Sequence, residues 1–148
     1  NLYGTVELSG ALLDKYFKQF ILLINLDYVK LVLREDKLVG FGLAVPSLNS
    51  AAKKSSGRLF PTGWYRMLTA PKRKNDVLDL YLIGVTTEMQ NMGLPAVLMH
   101  TMTEQAMRNG VKYAETGPEL ELNTKVQALW KYYEAEQHKR RRSWIKIL

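Results

Sequence analysis

Residues 77–99 read VLDLYLIGVTTEMQNMGLPAVLM, and the fold turns on how the chain passes through them. The first nine, VLDLYLIGV, form a near-continuous apolar run with Asp79 as its one charge, the pattern of a central strand covered on both faces. From about Leu94 to Asn109 the spacing is that of an amphipathic helix, and Gly110 supplies a left-handed stop at its C-terminus. Between strand and helix lies the polar turn Gln90-Asn91-Met92-Gly93-Leu94-Pro95. A helix leaving a strand exposes its first backbone N–H groups and the positive end of its dipole, which together favour an anion. Gly93 permits both a sharp turn and the close approach of a ligand to the backbone. Taken alone, the glycine is explained as well by simple turn punctuation. Pro95 removes one N–H, at a first-turn position where that group has no intrahelical partner.

Working outward, VKYAET (111–116) reads as the next strand, LNTKVQALWKYYEAEQ as a helix capped near Asn123 or Thr124, and HKRRRSWIKIL as a final extended segment. Alternation along that last segment puts His138, Arg140 and Arg142 on one side and Lys139 and Arg141 on the other. On the N-terminal side, YVKLVLRE and KLVGFGLAV are two β-rich runs joined by Asp36-Lys37, a hairpin. Ahead of them, ALLDKYFKQFILLI follows Ser9, a suitable N-cap, and spaces Leu13, Phe17, Phe20, Ile21 and Ile24 as a core-facing helical stripe. Residues 46–75 break the pattern with small, basic and aromatic residues, an insertion long enough for one or two short helices. The expected order is helix, strand, strand, insertion, strand, helix, strand, helix, strand: a mixed α/β fold, taken as one domain over 1–148.

The composition narrows the chemistry. With 148 residues and 47% hydrophobic content the chain can bury a core, and its longest apolar stretch is broken by Asn25 and Asp27, well short of the roughly 20 residues that cross a bilayer. The absence of cysteine excludes disulfides, thiolate catalysis and thiolate zinc sites, and is compatible with a cytoplasmic location. Only two histidines, His100 and His138, are present, so no metal site is expected. The chain starts at Asn1 without a signal-like segment, which reads as a piece of a longer protein. Its formal charge of +7 is concentrated in KKSSGR with PKRK and in HKRRR, so an anionic partner is expected. Long-range attraction does not distinguish nucleic acid, acidic membrane and a phosphorylated small molecule. No nucleic-acid-binding motif accompanies the basic clusters, and HKRRR runs straight into a strand-like WIKIL, so nucleic acid and membrane are the less favoured partners.

YLIGVTTEMQNMGLPAVLM resembles motif A of the GNAT acyltransferase superfamily, in which a strand ending in Val leads to a Gln/Arg-x-x-Gly-x-Gly/Ala turn that binds the pyrophosphate of acyl-coenzyme A. Gln90 and Gly93 match that turn, and Pro95 departs from Gly/Ala. YAETGPELELNTKVQALWKYYE is similar to the superfamily's second motif, and the resemblance runs from about Tyr28 to the end. GRLFPTGW, LELN and HKRRR further resemble bacterial GNAT-like proteins longer than this chain. The resemblance implies a GNAT fold, a central twisted mixed sheet flanked by helices, and transfer of an acyl group, in the first instance acetyl, from the coenzyme directly to an amine. It implies coenzyme contacts at Ile83, Gly84, Val85, Gln90, Asn91, Met92, Gly93, Leu94 and Asn123, with the central strand splayed from its neighbour so that backbone near Ile83 to Val85 holds the pantetheine arm. Gly84 would ease that approach. Asp79 matches the position where histone-acetyltransferase-like members carry a glutamate base.

The residues themselves leave alternatives open. Asp79 is equally an ion-pair partner for Lys72, Arg73 or Lys74; strand alternation groups it with Tyr81, Ile83 and Val85. Glu115 on the following strand and Glu88 in the turn are rival bases. The superfamily's tyrosine acid, counted seven residues from Asn123, falls on Trp130, leaving Tyr133 and its neighbour Tyr132 as substitutes or as core aromatics. Phe60, Trp64 and Tyr65 are either an acceptor-site wall or a plug on the sheet edge. The expected function is therefore an acyl-coenzyme A-dependent N-acyltransferase. The alternative is a GNAT-shaped binding module that has lost catalysis, or half of a tandem protein. A homodimer is left open.

Overall fold

The structure is a computed structural model, and it describes residues 10–21, 24–142, 144 and 146. Four strands form one sheet in the order β1-β2-β3-β4: β1 Val29–Arg34, β2 Lys37–Pro46, β3 Val77–Val85 and β4 Tyr113–Thr116. The β1–β2 and β2–β3 pairs are antiparallel and β3–β4 is parallel, so the sheet is mixed, as expected. Helix α1 spans Gly10–Phe20, α2 Asn49–Lys54, α3 Gly63–Thr69, α4 Leu94–Arg108 and α5 Thr124–Gln127. α2 and α3 are the two short helices of the insertion.

The hairpin turn is Glu35-Asp36, one residue earlier than expected, because Arg34 pairs with Lys37. A two-residue loop of this kind needs positive φ at both central positions, and Glu35 and Asp36 adopt 50° and 60°.

α4 lies along one face of the sheet. Its buried side chains Met99, Met102 and Ala106 pack with Tyr28, Ala44 and Leu78 to form the core, and Leu98 is buried on the same helix. The helix ends at Arg108 and Gly110 carries the expected positive φ of 76°. The β3 strand does not have the two-sided cover its apolar run suggests. Tyr81 and Leu82 are 55% and 56% exposed, since β4 ends at Thr116 and no further strand among the described residues continues the sheet beyond it. An apolar run reports hydrophobicity without saying how long the neighbouring strand is.

Two terminal expectations also change. The Ser9 cap lies outside the described residues, and in the α1 stripe Leu13 and Ile21 are exposed, so they do not face the core. The side chains of Phe17 and Phe20 lie outside the described residues. At the other end, α5 is a single turn followed by a 3-10 stretch, Ala128–Tyr132, and Tyr133 is extended at φ −128°, ψ 153°. Asn123 makes no side-chain cap bond at the start of α5, and a helix this short has little to hold it. Residues 134–142 have no regular structure and pair with no strand among the described residues. Without a ladder nothing enforces the two-residue alternation expected of HKRRR.

Among the described residues no helix is long and apolar enough to cross a membrane. The packing makes a quantitative expectation: Leu78→Ala and Leu98→Ala, both nearly inaccessible to solvent, should each cost about 2–5 kcal/mol in urea denaturation, whereas Leu82→Ala should stay within about 0.5 kcal/mol.

Candidate active site

β3 pairs with β4 only from Val77 to Leu80, opposite Tyr113 to Thr116. Past Leu80 the strand keeps β2 on one side and, among the described residues, has no strand on the other, so β3 and β4 part here as the resemblance implied. The gap is a cleft of about 210 Å³, lined among others by Tyr81, Leu82, Ile83, Met102, Thr116 and Trp130. Its closing wall is the segment from Gly117 to Trp130 that follows β4.

The register explains which β3 side chains face which way. Leu82 is opposite Leu43 and Leu80 is opposite Ala44, so Tyr81 is an extra residue without a partner, a β-bulge. A one-residue insertion resets the alternation. Ile83 and Val85 pair with Gly42 and Gly40 on the α4 side, while Asp79, Leu82 and Gly84 pair with Val45, Leu43 and Phe41 on the other. Asp79 therefore does not share a face with Ile83 and Val85, as simple alternation suggested. The space beside Gly84 is also occupied: a Cβ built there would lie 2.7 Å from the Phe41 ring. On that face the glycine admits Phe41 and gives a ligand no extra room.

At the far end of β3 a 3-10 turn, Thr87–Met89, leads into Gly93, whose φ of 73° puts it in the left-handed region that favours glycine. Pro95 lies in the first turn of α4. Met92, Ala96 and Val97 donate to backbone oxygens within the turn. The N–H groups of Asn91, Gly93 and Leu94 have no acceptor among the described residues and are available to an anion. Gln90 is exposed, and Lys125 Nζ of α5 stands 3.5 Å from its Oε1. Arg34 reaches Met89 Sδ at 3.8 Å from the opposite side. Sequence reasoning missed both cations, because only the fold brings the hairpin end and α5 to this turn. Asn123, the residue preceding α5, makes no side-chain bond to the helix start.

At the near end, Asp79 is the register partner of Glu115 in the parallel pair. Asp79 Oδ1 is buried and has no hydrogen-bond partner. Desolvation by burial pushes its carboxyl above the ordinary range, the nearby Ser47 hydroxyl opposes that, and the neighbouring Glu115 charge adds to it. None of Lys72, Arg73 and Lys74 forms an ion pair with Asp79; among the described residues the only cations at this carboxylate pair approach Glu115. His138 Nε2 and Lys139 Nζ lie 3.6 and 3.8 Å from Glu115 Oε1, and Asn49 Nδ2 lies 3.5 Å from Oε2. Adjacent residues of HKRRR thus reach the same carboxylate. Ser47 and Asn49 were not singled out in the sequence; they become visible only when β2 runs on to Pro46 beside Asp79.

The remaining candidates lie apart from this pair. Glu88 is an exposed residue of the 3-10 turn. Tyr132 is almost fully exposed; Tyr133 stacks at a tilt on Trp130 with 6.2 Å between ring centres. The Trp130 indole N–H donates to Glu119 at 2.9 Å to Oε1 and 3.1 Å to Oε2. Phe60, Trp64 and Tyr65 are exposed, and Trp64 Nε1 donates to the Pro61 carbonyl at 3.0 Å, so these rings do not plug the sheet edge. No group of three or more metal-ligating side chains occurs among the described residues.

Because the folded-state pKa of Asp79 is raised, its charge opposes folding above that value, and the penalty disappears as pH falls below the ordinary carboxylate pKa. Asp79→Asn should accordingly raise the melting temperature at pH 8 and leave it unchanged near pH 3. Equal effects at both pH values would mean that the Asp79 charge is not under strain.

No protein-family model and no curated protein matches the chain. Solved structures do. An aminoglycoside acetyltransferase from an uncultured soil metagenomic sample, in complex with trehalose, superposes with a TM-score of 0.55 at 12% identity, over 99% of this chain and 79% of that one. The same enzyme in complex with sisomicin gives 0.54. The aminoglycoside N-acetyltransferase AAC(6')-Iy, in complex with CoA, gives 0.55 at 14% identity over 92% of this chain and 89% of its own. At such identities the likeness speaks to architecture, and it agrees with the splayed strand and the glycine turn: the chain has the fold of the GNAT acetyltransferases.

Proposed function

We propose that the protein is an acyl-coenzyme A-dependent N-acyltransferase that moves an acyl group, in the first instance acetyl, directly to an amine. The observation that carries the reading is the parting of β3 from β4 after Leu80, which opens a cleft beside Leu80–Ile83, placed in chain order between Asp79 and the donors before α4. A long, thin ligand with a phosphate-bearing end and a reactive thioester end fits such a slot. The N–H groups of Asn91, Gly93 and Leu94 would hold the pyrophosphate, with Lys125 and Arg34 adding positive charge. The free edge of Tyr81–Val85 would hold the pantetheine arm and polarise the thioester carbonyl.

In the transfer, a carboxylate of the Asp79–Glu115 pair takes a proton from the ammonium form of the acceptor. The freed nitrogen lone pair then forms a bond to the thioester carbon. The resulting tetrahedral species collapses with cleavage of the carbon–sulfur bond, and the second nitrogen proton neutralises the departing thiolate. Asp79 suits the first step because its raised pKa brings it closer to that of an amine. A dedicated acid is dispensable, since a thiol pKa of about 8.5 makes thiolate a tolerable leaving group. Tyr133 remains the alternative donor. That two neighbours of the same fold were solved with an aminoglycoside and with CoA supports an amine acceptor and an acyl-CoA donor.

A second reading, a binding module without turnover, is favoured by one observation: Trp130, at the position where the superfamily's tyrosine acid is counted, commits its N–H to Glu119. Titration with coenzyme A and acetyl-coenzyme A, followed by thermal denaturation, tests both readings. Ligand at 100 times its dissociation constant should stabilise the protein by about 2.7 kcal/mol. Absence of any shift at millimolar ligand defeats both. Thiol release with a panel of amines then separates them: Asp79→Asn should lower turnover at least tenfold with coenzyme binding intact, and unchanged turnover would remove Asp79 as the base.

A further inference from the structure

The second cleft of the molecule lies at the other end of the sheet. It has about 210 Å³ and is lined by Asn25, Tyr28, Pro46, Asn109, Pro71 and the continuous segment Lys72-Arg73-Lys74-Asn75. Helix α4 runs from the Gly93 turn to Asn109 in the lining of this pocket, so at about 1.5 Å per residue the two stand roughly 24 Å apart. A coenzyme seated on the turn does not account for it.

The charges here are unbalanced. None of Lys72, Arg73 and Lys74 forms an ion pair among the described residues. Of the nearby carboxylates, Asp76 pairs with Lys112 at 3.2 Å, and Asp27, whose Oδ2 accepts from Asn109 Nδ2 at 3.1 Å, forms no ion pair with these cations among the described residues. Lys74 has a structural explanation, since its Cε and Nζ lie beside Gly110 at the C-terminal end of α4, where a cation complements the helix dipole. Lys72 and Arg73 have none.

The polar lining is fixed from below. Asn75 is held by two bonds, Nδ2 to the Ser47 carbonyl at 2.6 Å and Oδ1 from the Val77 N–H at 3.1 Å. Tyr28 is 3% exposed, and its hydroxyl accepts from Asn109 Nδ2 at 3.0 Å. The proton of that hydroxyl has no acceptor among the described residues, an unusual state for a buried tyrosine. An unspent buried O–H, a cavity and unpaired cations call for an acceptor-rich anion.

The geometry points to a second anion site, in which a phosphate group accepts from the Tyr28 hydroxyl and is neutralised by Lys72 and Arg73. Guanidinium and ammonium together suit a phosphate, the first by its forked donors and the second as a point charge. The site is independent of the coenzyme reading and survives its failure.

Isothermal titration of the intact chain with inorganic phosphate at low ionic strength tests it. Saturable binding is expected, weakened at least tenfold in Lys72→Gln/Arg73→Gln and several-fold in Tyr28→Phe, which keeps the buried ring. Lys53→Gln/Lys54→Gln removes the same charge from α2 and should change affinity less than twofold. Equal weakening in the two double variants would reduce the effect to diffuse attraction and overturn the site, as would binding that is lost instead in Gln90→Ala. If Tyr28→Phe unfolds the chain, comparison of the double variants still decides. Phosphoserine as a second probe separates sources: tighter binding than phosphate assigns the site to a phosphate ester, and equal binding assigns it to the free anion.

Discussion

The pairing of β3 with β4 lasts for four residues on each strand, and the rest of the molecule is arranged around its end. Backbone N–H and C=O groups must find partners wherever water is excluded, so a strand that loses its neighbour in mid-course has a row of groups to satisfy. Two features keep this edge from being closed by the protein itself. The bulge at Tyr81 bends and twists β3 at the point of departure. The segment from Gly117 to Trp130 then forms the facing wall, its two ends joined to each other by the bond from Trp130 to Glu119. The cleft is thus a consequence of a short strand and a bulge.

The same bulge governs the electrostatics. By resetting the alternation it leaves Asp79 on the side of β2 residue Val45 and away from α4, next to Ser47 and Glu115. In a chain of net charge +7 a carboxylate would ordinarily collect a cation. Here the cations go elsewhere: Lys139 to Glu115, which His138 also approaches, Lys112 to Asp76, Lys74 to the end of α4. Asp79 is left half-buried beside a like charge, which is the combination that raises a carboxylate pKa. Its poise depends less on what touches it than on what the fold directs past it.

Much of the architecture was legible because the signals were local. The β3 run, the α4 helix with its glycine stop, the β1–β2 hairpin and the position of Gly93 each follow from spacing or from one residue's conformational range. What was not legible depends on partners distant in sequence. The alternation that grouped Asp79 with Ile83 and Val85 failed at a bulge, which arises from the register with β2 and leaves no mark in β3 alone. The α1 stripe was readable as amphipathic, yet Leu13 and Ile21 stay exposed, since periodicity within a helix does not say what packs against it. The long helix expected after Asn123 reduces to one turn, since nothing in a propensity shows that Trp130 will be tied back to Glu119. Lys125, Arg34, Ser47 and Asn49 went unnoticed for the same reason.

The shortness of α5 bears on the turn that began the reading. Pro95 costs that turn one donor, leaving the N–H groups of Asn91, Gly93 and Leu94. A longer α5 would not be needed to offset this. A single turn suffices to bring Lys125 beside Gln90 and, through the 3-10 stretch that follows, to carry Trp130 to the cleft. One small element therefore serves both the turn and the cleft, adding charge where a donor is missing and lining the wall where the strand has opened. Under the proposed chemistry the two motifs are coupled by that element: loosening the Trp130–Glu119 bond frees α5, and with it the cation beside the phosphate turn.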